Sequence, residues 1–497
     1  MRILIVSPEI APFYKTGGLG DVAGSLARAL VRRGHDARLA MPRYRIIDAP
    51  KSEFKTLMPE ILVDVEGQSV AGAIDAAGGE VPVYFVRCDR YFDRGGAYGE
   101  VVAGSMRDYT DNIERFAFFC MAVVWMLKGL DWQPDVIHCS DWQTALIPVY
   151  LRTHPVASTD PFYRPIRVLY TIHNLAYQGR TSPAMLPRMG LGPDVSALNG
   201  LEFHGGLNLM KGGIVYSDHI TTVSERYAKE IQTPELGCGL DSVLRHYKDR
   251  LTGILNGIDY EEWNPAADPF LAAHYDERDF SGKAACKVAL QREAGLEVEA
   301  KTPLIGMVSR LSTQKGYELV DAVLTLLVEK KVQLVMLGNG EQRYHRMLER
   351  MGRKFPGNVT ARLKFDGALA HRIEAGADMF LMPSYYEPCG LNQMYSMRYG
   401  TPPIVRRTGG LADSVTPCTP AALRSGKATG FVFGPYTPRA LMEAVDKALL
   451  MYREAPDDWR RLMRNAMKRD FSWDTVAAKY EALYGELAAE APPTAPE

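Results

Sequence analysis

Short apolar, β-rich runs alternate with helical patterns along this chain, and the alternation starts afresh past residue 300. In the first half "RILIVS" (2–7), "ARLAMP" (37–42), "VPVYFV" (81–86), "DVIHCS" (135–140), "RVLYTIH" (167–173), "HITTVS" (219–224) and "LTGILNG" (251–257) read as strands. Helical patterns lie between them. From Asp21 to Arg33, Val22, Leu26 and Leu30 share one face and Gly34 stands where a C-terminal cap belongs; others cover 110–128 and "WQTALIPVYLR". The second half repeats the rhythm in "PLIGMVSR" (303–310), "VQLVMLG" (332–338), "DMFLMPS" (378–384), "TPPIVRRTGG" (401–410) and "GFVF" (430–433), with helices near 316–330 and 341–354. Apolar strands alternating with helices predict α/β sheets of parallel strands covered on both faces. A chain of 497 residues exceeds one ordinary core, so two doubly wound domains of about 200–250 residues are expected. The boundaries read as 1–258 and 259–472, joined through a stretch rich in Asp, Pro and aromatics from Asn256 to Ser281. A last helix, 473–490, is expected to cross back onto the first domain, and the Pro/Ala tail 491–497 to be disordered. Two such domains facing a central cleft would hold ligands at the carboxyl ends of their strands.

Bulk properties exclude several function classes. Lys+Arg number 58 against 59 Asp+Glu, a net charge of -1 that gives no general attraction to nucleic acid or a membrane surface. The 7 cysteines are dispersed, with no C-x-x-C spacing, which predicts reduced thiols in a cytoplasmic protein. Arg2 and a short apolar run before Ser7 do not make a signal peptide. The longest apolar run, 116–127, falls short of the roughly 20 residues that span a bilayer and reads as a buried helix. No His/Cys group has zinc spacing and no Asp-x-Asp pair ends a strand, so neither a metal nor another cofactor is expected.

Four loops carry chemistry. "KTGGLGDV" (15–22) sits between a strand and a helix, and "RTGGLADSV" (407–415) echoes it. Glycines there let backbone N–H groups approach an anion at a helix's positive end, with Lys15 as a point charge beside them. The string fits neither the P-loop nor the dinucleotide fingerprint, and alone it is equally a Gly-rich turn with a solvated lysine. In "SRLSTQKG" (309–316), Arg310 and Lys315 can converge on one phosphate-bearing ligand, or can be two surface cations. "PSYYEPCGLNQMYSMRYG" (383–400) offers Glu387 to sugar hydroxyls or as a helix cap, and the amides of Gly390, Leu391 and Asn392 to a phosphate. Cys389 reads as a packed thiol. His173, Asp141 and Asn256 end strands where this architecture places ligands, although satisfied buried histidines are common.

Taken together, "KTGGLGDV", "HNLAYQG", "VSRLSTQKG", "YYEPCGLNQMYSMRYGTPPIVRRTGGLADSV" and "ILNGIDYEEWNP" resemble the bacterial glycogen synthases and plant starch synthases, from about residue 2 to about 485. Those are retaining glycosyltransferases of family 5 with the GT-B fold of two Rossmann-like domains. The resemblance implies transfer of glucose from ADP-glucose to an α-1,4-glucan, glycogen or a maltooligosaccharide, without a metal. It places Lys15 with the Gly17–Gly18 backbone beside the sugar and diphosphate, and Arg310 and Lys315 on the diphosphate. His173 and Asn256 then contact the glucose. Glu387 and the Cys389–Gly390–Leu391 backbone hold its hydroxyls, and the amides of Leu391 and Asn392 meet the distal phosphate. Asp21 is grouped with the catalytic residues, Glu9 and Asp141 with the acceptor. Phe365 stands where the family often has a tyrosine stacked on adenine.

Two positions depart from related patterns. Tyr395 occupies the place of a second glutamate common in other sugar transferases, so no carboxylate pair is available to hold the ribose. Gln143 replaces the histidine of a frequent "DWH". No carboxylate is evident as a nucleophile for double displacement, and the resemblance suggests same-face attack. Rival readings are a UDP-glucose or oligosaccharide-specific transferase, a nucleotide-sugar epimerase on the same fold, and a catalytically silent glucan-binding protein.

Overall fold

A computed structural model describes residues 1–47, 54–102, 105–364 and 366–489; the expected tail 491–497 lies outside them. The chain divides into two compact units, Met1–Ile254 with Trp473–Glu497, and Leu255–Ser472. The first unit therefore ends at Ile254 rather than at 258, which puts Asn256 in the second.

Among the described residues the largest sheet of the first unit has nine strands. They are β1 (Arg2–Val6), β2 (Asp36–Pro42), β3 (Lys55–Val65), β4 (Gln68–Ala77), β5 (Val83–Arg87), β6 (Val136–Ser140), β7 (Arg167–Ile172), β8 (His219–Thr222) and β9 (Leu251–Gly253). Their order is β9-β8-β7-β6-β1-β2-β5-β4-β3. From β9 to β5 the strands run parallel, and the central β1, β6 and β7 are buried almost throughout, as strands of a covered parallel sheet are. The sheet is nonetheless mixed, because β3 and β4 form an antiparallel hairpin at its edge. Glu66 and Gly67, at φ 56 and 74, make its two-residue turn between the paired Val65 and Gln68. In β3, Ile61, Val63 and Val65 are buried and alternate with exposed residues, the period-2 signature of a strand with one wet face.

Helix α1 (Gly18–Arg32) follows β1 and buries Val22, Leu26 and Leu30, with Gly34 at φ 88 closing its end. The apolar run 116–127 lies within α2 (Asn112–Gly129), buried along nearly its whole length. Among the described residues no helix is long and apolar enough to cross a membrane.

The second unit holds a six-stranded parallel sheet, β12-β11-β10-β13-β14-β15. Its strands are β10 (Leu304–Val308), β11 (Gln333–Leu337), β12 (Val359–Arg362), β13 (Met379–Met382), β14 (Pro403–Arg406) and β15 (Phe431–Phe433). Helices α3 (Tyr317–Glu329) and α5 (Pro438–Glu454) cover it through Val320, Leu324, Leu441 and Val445, while the short α4 (Asn392–Arg398) follows β13. Such burial stabilises by about 25 cal/mol per Å² of apolar surface removed from water.

The last helix, α6 (Trp473–Ala489), packs against α1, β6 and β7 of the first unit. Arg33 and His35 both reach Glu481, at 2.6 and 3.0 Å. Beneath them the Tyr484 hydroxyl meets His138 Nδ1 at 2.7 Å, His138 Nε2 meets Thr171 Oγ1 at 2.5 Å, and Thr171 meets Thr221 at 2.5 Å. Burial pushes the His138 pKa down to about 3, so this chain of hydrogen bonds runs through a neutral ring. Tyr484→Phe strands one ring nitrogen in the core and is expected to cost about 1–3 kcal/mol in urea denaturation. Asp474→Ala, at a position 80% exposed, should change stability by less than about 0.5 kcal/mol. Equal losses for the two variants would show that α6 is held by its surface ion pairs instead.

Candidate active site

In the first unit the candidate side chains Lys15, Asp141 and His173 follow the carboxyl ends of β1, β6 and β7, which are sheet neighbours. The loop after β1 is clamped from below. Buried Glu9 accepts hydrogen bonds from the Thr16 backbone N–H at 2.5 Å, from the Thr16 hydroxyl at 2.6 Å and from the Tyr98 hydroxyl at 2.7 Å. Both its oxygens are thus engaged under the loop that carries Lys15. Lys15 Nζ lies 2.7 Å from Asp21 Oδ1, one turn into α1. The glycines let the loop lie flat on that helix. A Cβ on Gly20 would stand 2.8 Å from Lys15 Cβ, and one on Gly24 2.7 Å from the Ala11 carbonyl oxygen. Gly17 caps α1 with no side-chain hydrogen bond, and Gly18 begins it, so amides open the helix.

Asp141 leaves β6 with φ 57 and turns inward, where Oδ1 accepts the His173 N–H at 2.7 Å and the Asn174 N–H at 3.3 Å. Burial raises its pKa to about 7; the two amides pull the other way, and the charge of Glu9 adds to the rise. The carboxyl therefore fixes the bend after β7 that presents His173. That half-buried ring is neutral, its pKa pushed down to about 3 by burial. Gln143, also buried, has an Oε1 with no hydrogen-bond partner among the described residues.

In the second unit the loops after β10 and β13 are tied to each other. Lys315 Nζ lies 2.7 and 2.9 Å from the two oxygens of Glu387, and Ser384 Oγ donates to Glu387 Oε2 at 2.9 Å. The lysine and glutamate side chains are only 14% and 6% exposed. Backbone contacts reinforce the tie. The Tyr385 N–H donates to the Gln314 carbonyl at 2.8 Å, and Gly316 at φ 74 passes so close that a Cβ there would fall 2.1 Å from the Pro383 oxygen. Arg310, at the end of β10, is exposed.

The second "TGGL" stretch now has its place. Gly409 and Gly410 lie against the backbone of Glu387 and Cys389, where added Cβ atoms would come within 2.0 and 2.1 Å of carbonyl oxygens. The Gly410 N–H donates to the Glu387 carbonyl at 3.1 Å. From the other side Gln393 Nε2 donates to the carbonyls of Cys389 and Gly390 at 3.1 and 2.9 Å, and to Ser414 at 3.1 Å. Gly390, at φ 71, admits that carboxamide. Asn392 spends its Nδ2 on the Val308 carbonyl at 2.5 Å, tying α4 to β10. Cys389 is buried against Asn256, and burial pushes its thiol up to about 12, which makes it a packing residue. Asn256 itself keeps a buried Oδ1 with no hydrogen-bond partner among the described residues.

Tyr395 is packed away from this loop, stacked on Trp263 at 3.8 Å with the ring planes 9° apart. Trp263 carries His371 on its other face, at 3.9 Å. Phe365 lies outside the described residues. Among the described residues no group of three or more His, Cys, Asp or Glu could hold a metal ion. Sequence reasoning missed Ser384, Thr16 and Tyr98 as partners of the two buried glutamates; Ser384, so close to Glu387 in sequence, was the one with a local signal.

Comparison with known proteins covers both halves of the chain. Residues 2–246 match the starch synthase catalytic domain family, and residues 291–468 the glycosyl transferases group 1. Glycogen synthase 2 of Geobacter sulfurreducens is 47% identical over 97% of this chain and 98% of its own length. A glycogen synthase of an Anaeromyxobacter species is 47% identical over 98% of this chain and 100% of its own. The solved catalytic domain of starch synthase IV from Arabidopsis thaliana, bound to ADP and acarbose, superposes with a TM-score of 0.90 at 34% identity, covering 98% of this chain and 99% of that one. Sucrose-phosphate synthase from Thermosynechococcus elongatus, at 18% identity and a TM-score of 0.61, over 98% of this chain and 99% of that one, shares the fold.

The Asp141 pKa carries a stability prediction. Its folded value, about 7, lies above the ordinary carboxyl value of 3.8, so its contribution is complete below pH 4 and is lost as the pH rises through 7. Above that the charge stays buried at a cost. Asp141→Asn keeps an acceptor for the two amides and removes the charge. Urea denaturation should find the variant more stable than the parent at pH 8, by up to about 4 kcal/mol for a shift of roughly three pKa units, and the two alike at pH 4. A difference independent of pH would refute the assignment.

Proposed function

This chain belongs to the family of bacterial glycogen synthases and plant starch synthases, and on that premise we propose that it elongates glycogen, transferring glucose from ADP-glucose to the non-reducing 4-hydroxyl of an α-1,4-glucan with retention of configuration. It is a glycosyltransferase, taking a nucleotide-sugar donor and a glucan acceptor. It works in the cytoplasm, where its cysteines, all free, stay reduced.

The observation that carries the residue assignment is the buried Lys315–Glu387 pair, with Arg310 exposed just past the end of β10, on the loop that leads to Lys315. A departing nucleoside diphosphate develops negative charge as its bond to C1 of the glucose breaks. Arg310, Lys315 and the amides of Leu391 and Asn392 meet that charge. Donors fixed beforehand in this way are worth roughly 3–4 kcal/mol each in transition-state stabilisation. Glu387, held by Lys315 and Ser384, takes hydrogen bonds from hydroxyls of the transferring glucose, with the Cys389–Gly390–Leu391 backbone alongside. Asn256 offers its unpartnered Oδ1 to the same sugar. Lys15, with the amides of Gly17 and Gly18, serves sugar and diphosphate; Asp21 sets the position of its ammonium group.

His173 acts as a neutral hydrogen-bonding group, since burial keeps it uncharged. Glu9 and Asp141 support the reaction indirectly, one through the Lys15 loop and the other through the bend at His173. Both oxygens of Glu387 are engaged by Lys315, which disfavours it as a nucleophile. Same-face transfer fits better. The acceptor 4-hydroxyl oxygen bonds to C1, the C1–O bond to the diphosphate breaks, and a phosphate oxygen takes the hydroxyl proton.

Incorporation of labelled glucose into glycogen tests this reading, with ADP-glucose and UDP-glucose compared side by side in the presence of a chelator. Labelling from ADP-glucose that survives the chelator is the expected result. Labelling from UDP-glucose alone would overturn the donor. Binding of glycogen without labelling from either would make the chain a silent glucan binder.

A further inference from the structure

At the carboxyl ends of β13, β14 and β15 stands an aromatic corner that the transfer chemistry does not use. Tyr385 follows β13 and is 44% exposed. Its ring meets that of Tyr436, just beyond β15, edge to face, with centroids 5.2 Å apart and planes at 76°. The Arg406 guanidinium, at the end of β14, lies 5.6 Å from the Tyr385 centroid and 5.4 Å from that of Tyr436. Arg406 also donates to the carbonyls of Tyr385 and Gly434. With the Tyr385 N–H bound to Gln314 at 2.8 Å, the corner is fixed before any ligand arrives. Rigid tyrosines of this kind offer a large contact area at little cost in conformational entropy.

Sheet order says which ligand reaches it. Glu387 follows β13, while Arg310 and Lys315 follow β10, the next strand toward β11 and β12. A donor with its glucose at Glu387 and its diphosphate at Arg310 and Lys315 extends its nucleoside onward over β11 and β12. The corner over β14 and β15 lies on the other side of the sugar. Of the molecules in the reaction, the polymeric acceptor is the one that can occupy it.

We propose that Tyr385, Tyr436 and Arg406 form a separate glucan-holding site beside the donor loop. This rests on the glucan-elongating reading above. A glucosyl unit packs its C–H face on an exposed tyrosine ring and turns its hydroxyl rim toward the phenols and the guanidinium. The corner grips units of a long chain remote from the reacting end and so raises the local concentration of chain ends. Short acceptors cannot span both places and gain nothing from it.

The test uses the full chain and Tyr385→Ala, with Tyr385→Phe as the variant that keeps the ring. Retardation in native gels containing glycogen reads binding without activity, and KM values are taken for glycogen, maltotriose and ADP-glucose. Tyr385→Ala should weaken glycogen retention and raise the glycogen KM about tenfold, the loss of one aromatic contact. Maltotriose and ADP-glucose KM values should stay unchanged, and Tyr385→Phe should behave as the parent. Unaltered retention and glycogen KM in Tyr385→Ala would overturn the site, and so would a raised KM for ADP-glucose. If the parent transfers no glucose yet Tyr385→Ala still loses retention, the site stands and the glucan-elongating reading falls.

Discussion

The ion pair between Lys315 and Glu387 holds together the second unit's loops after β10 and β13. Burying an ammonium and a carboxylate costs more than their attraction returns unless each is further hydrogen-bonded. Here Ser384 donates to the carboxylate, and the backbone of the Lys315 loop is stitched to that of Tyr385. Two loops from neighbouring strands thus become one rigid surface. Hydrogen-bond donors fixed in this way require no rearrangement when charge develops beside them.

The two related glycine stretches, one in each unit, act differently. At Gly17 and Gly18 the glycines open a helix and leave its amides beside Lys15. At Gly409 and Gly410 they let a helix start press against the backbone of the Glu387 loop, with no room for a side chain. One copy opens a helix; the other supports a neighbouring loop. A motif identical over four residues carries two physical roles because what it faces differs.

Most strands and helices were legible because apolar runs and glycine punctuation report burial directly. Lys15, Arg310, Lys315 and Glu387 could be singled out because strand ends in this architecture are where polar loops meet ligands. The β3–β4 hairpin was not, since its exposed face dilutes the apolar signal and only a period-2 pattern remains. The short strand Val359–Arg362 escaped for a similar reason, being polar at its end. Partners distant in sequence left no trace: Tyr98 on Glu9, Trp263 on Tyr395, Tyr484 on His138. The shifts at Asp141 and His173 arise from burial, which no local pattern encodes.

A double-mutant cycle on Lys315→Ala and Glu387→Gln, read as kcat/KM for glucose transfer, tests the central claim most directly. If the pair acts as one preorganised unit, each single change costs on the order of a hundredfold or more, and the double variant is little worse than the poorer single. Losses that multiply in the double variant, or normal turnover in Lys315→Ala, would contradict the account.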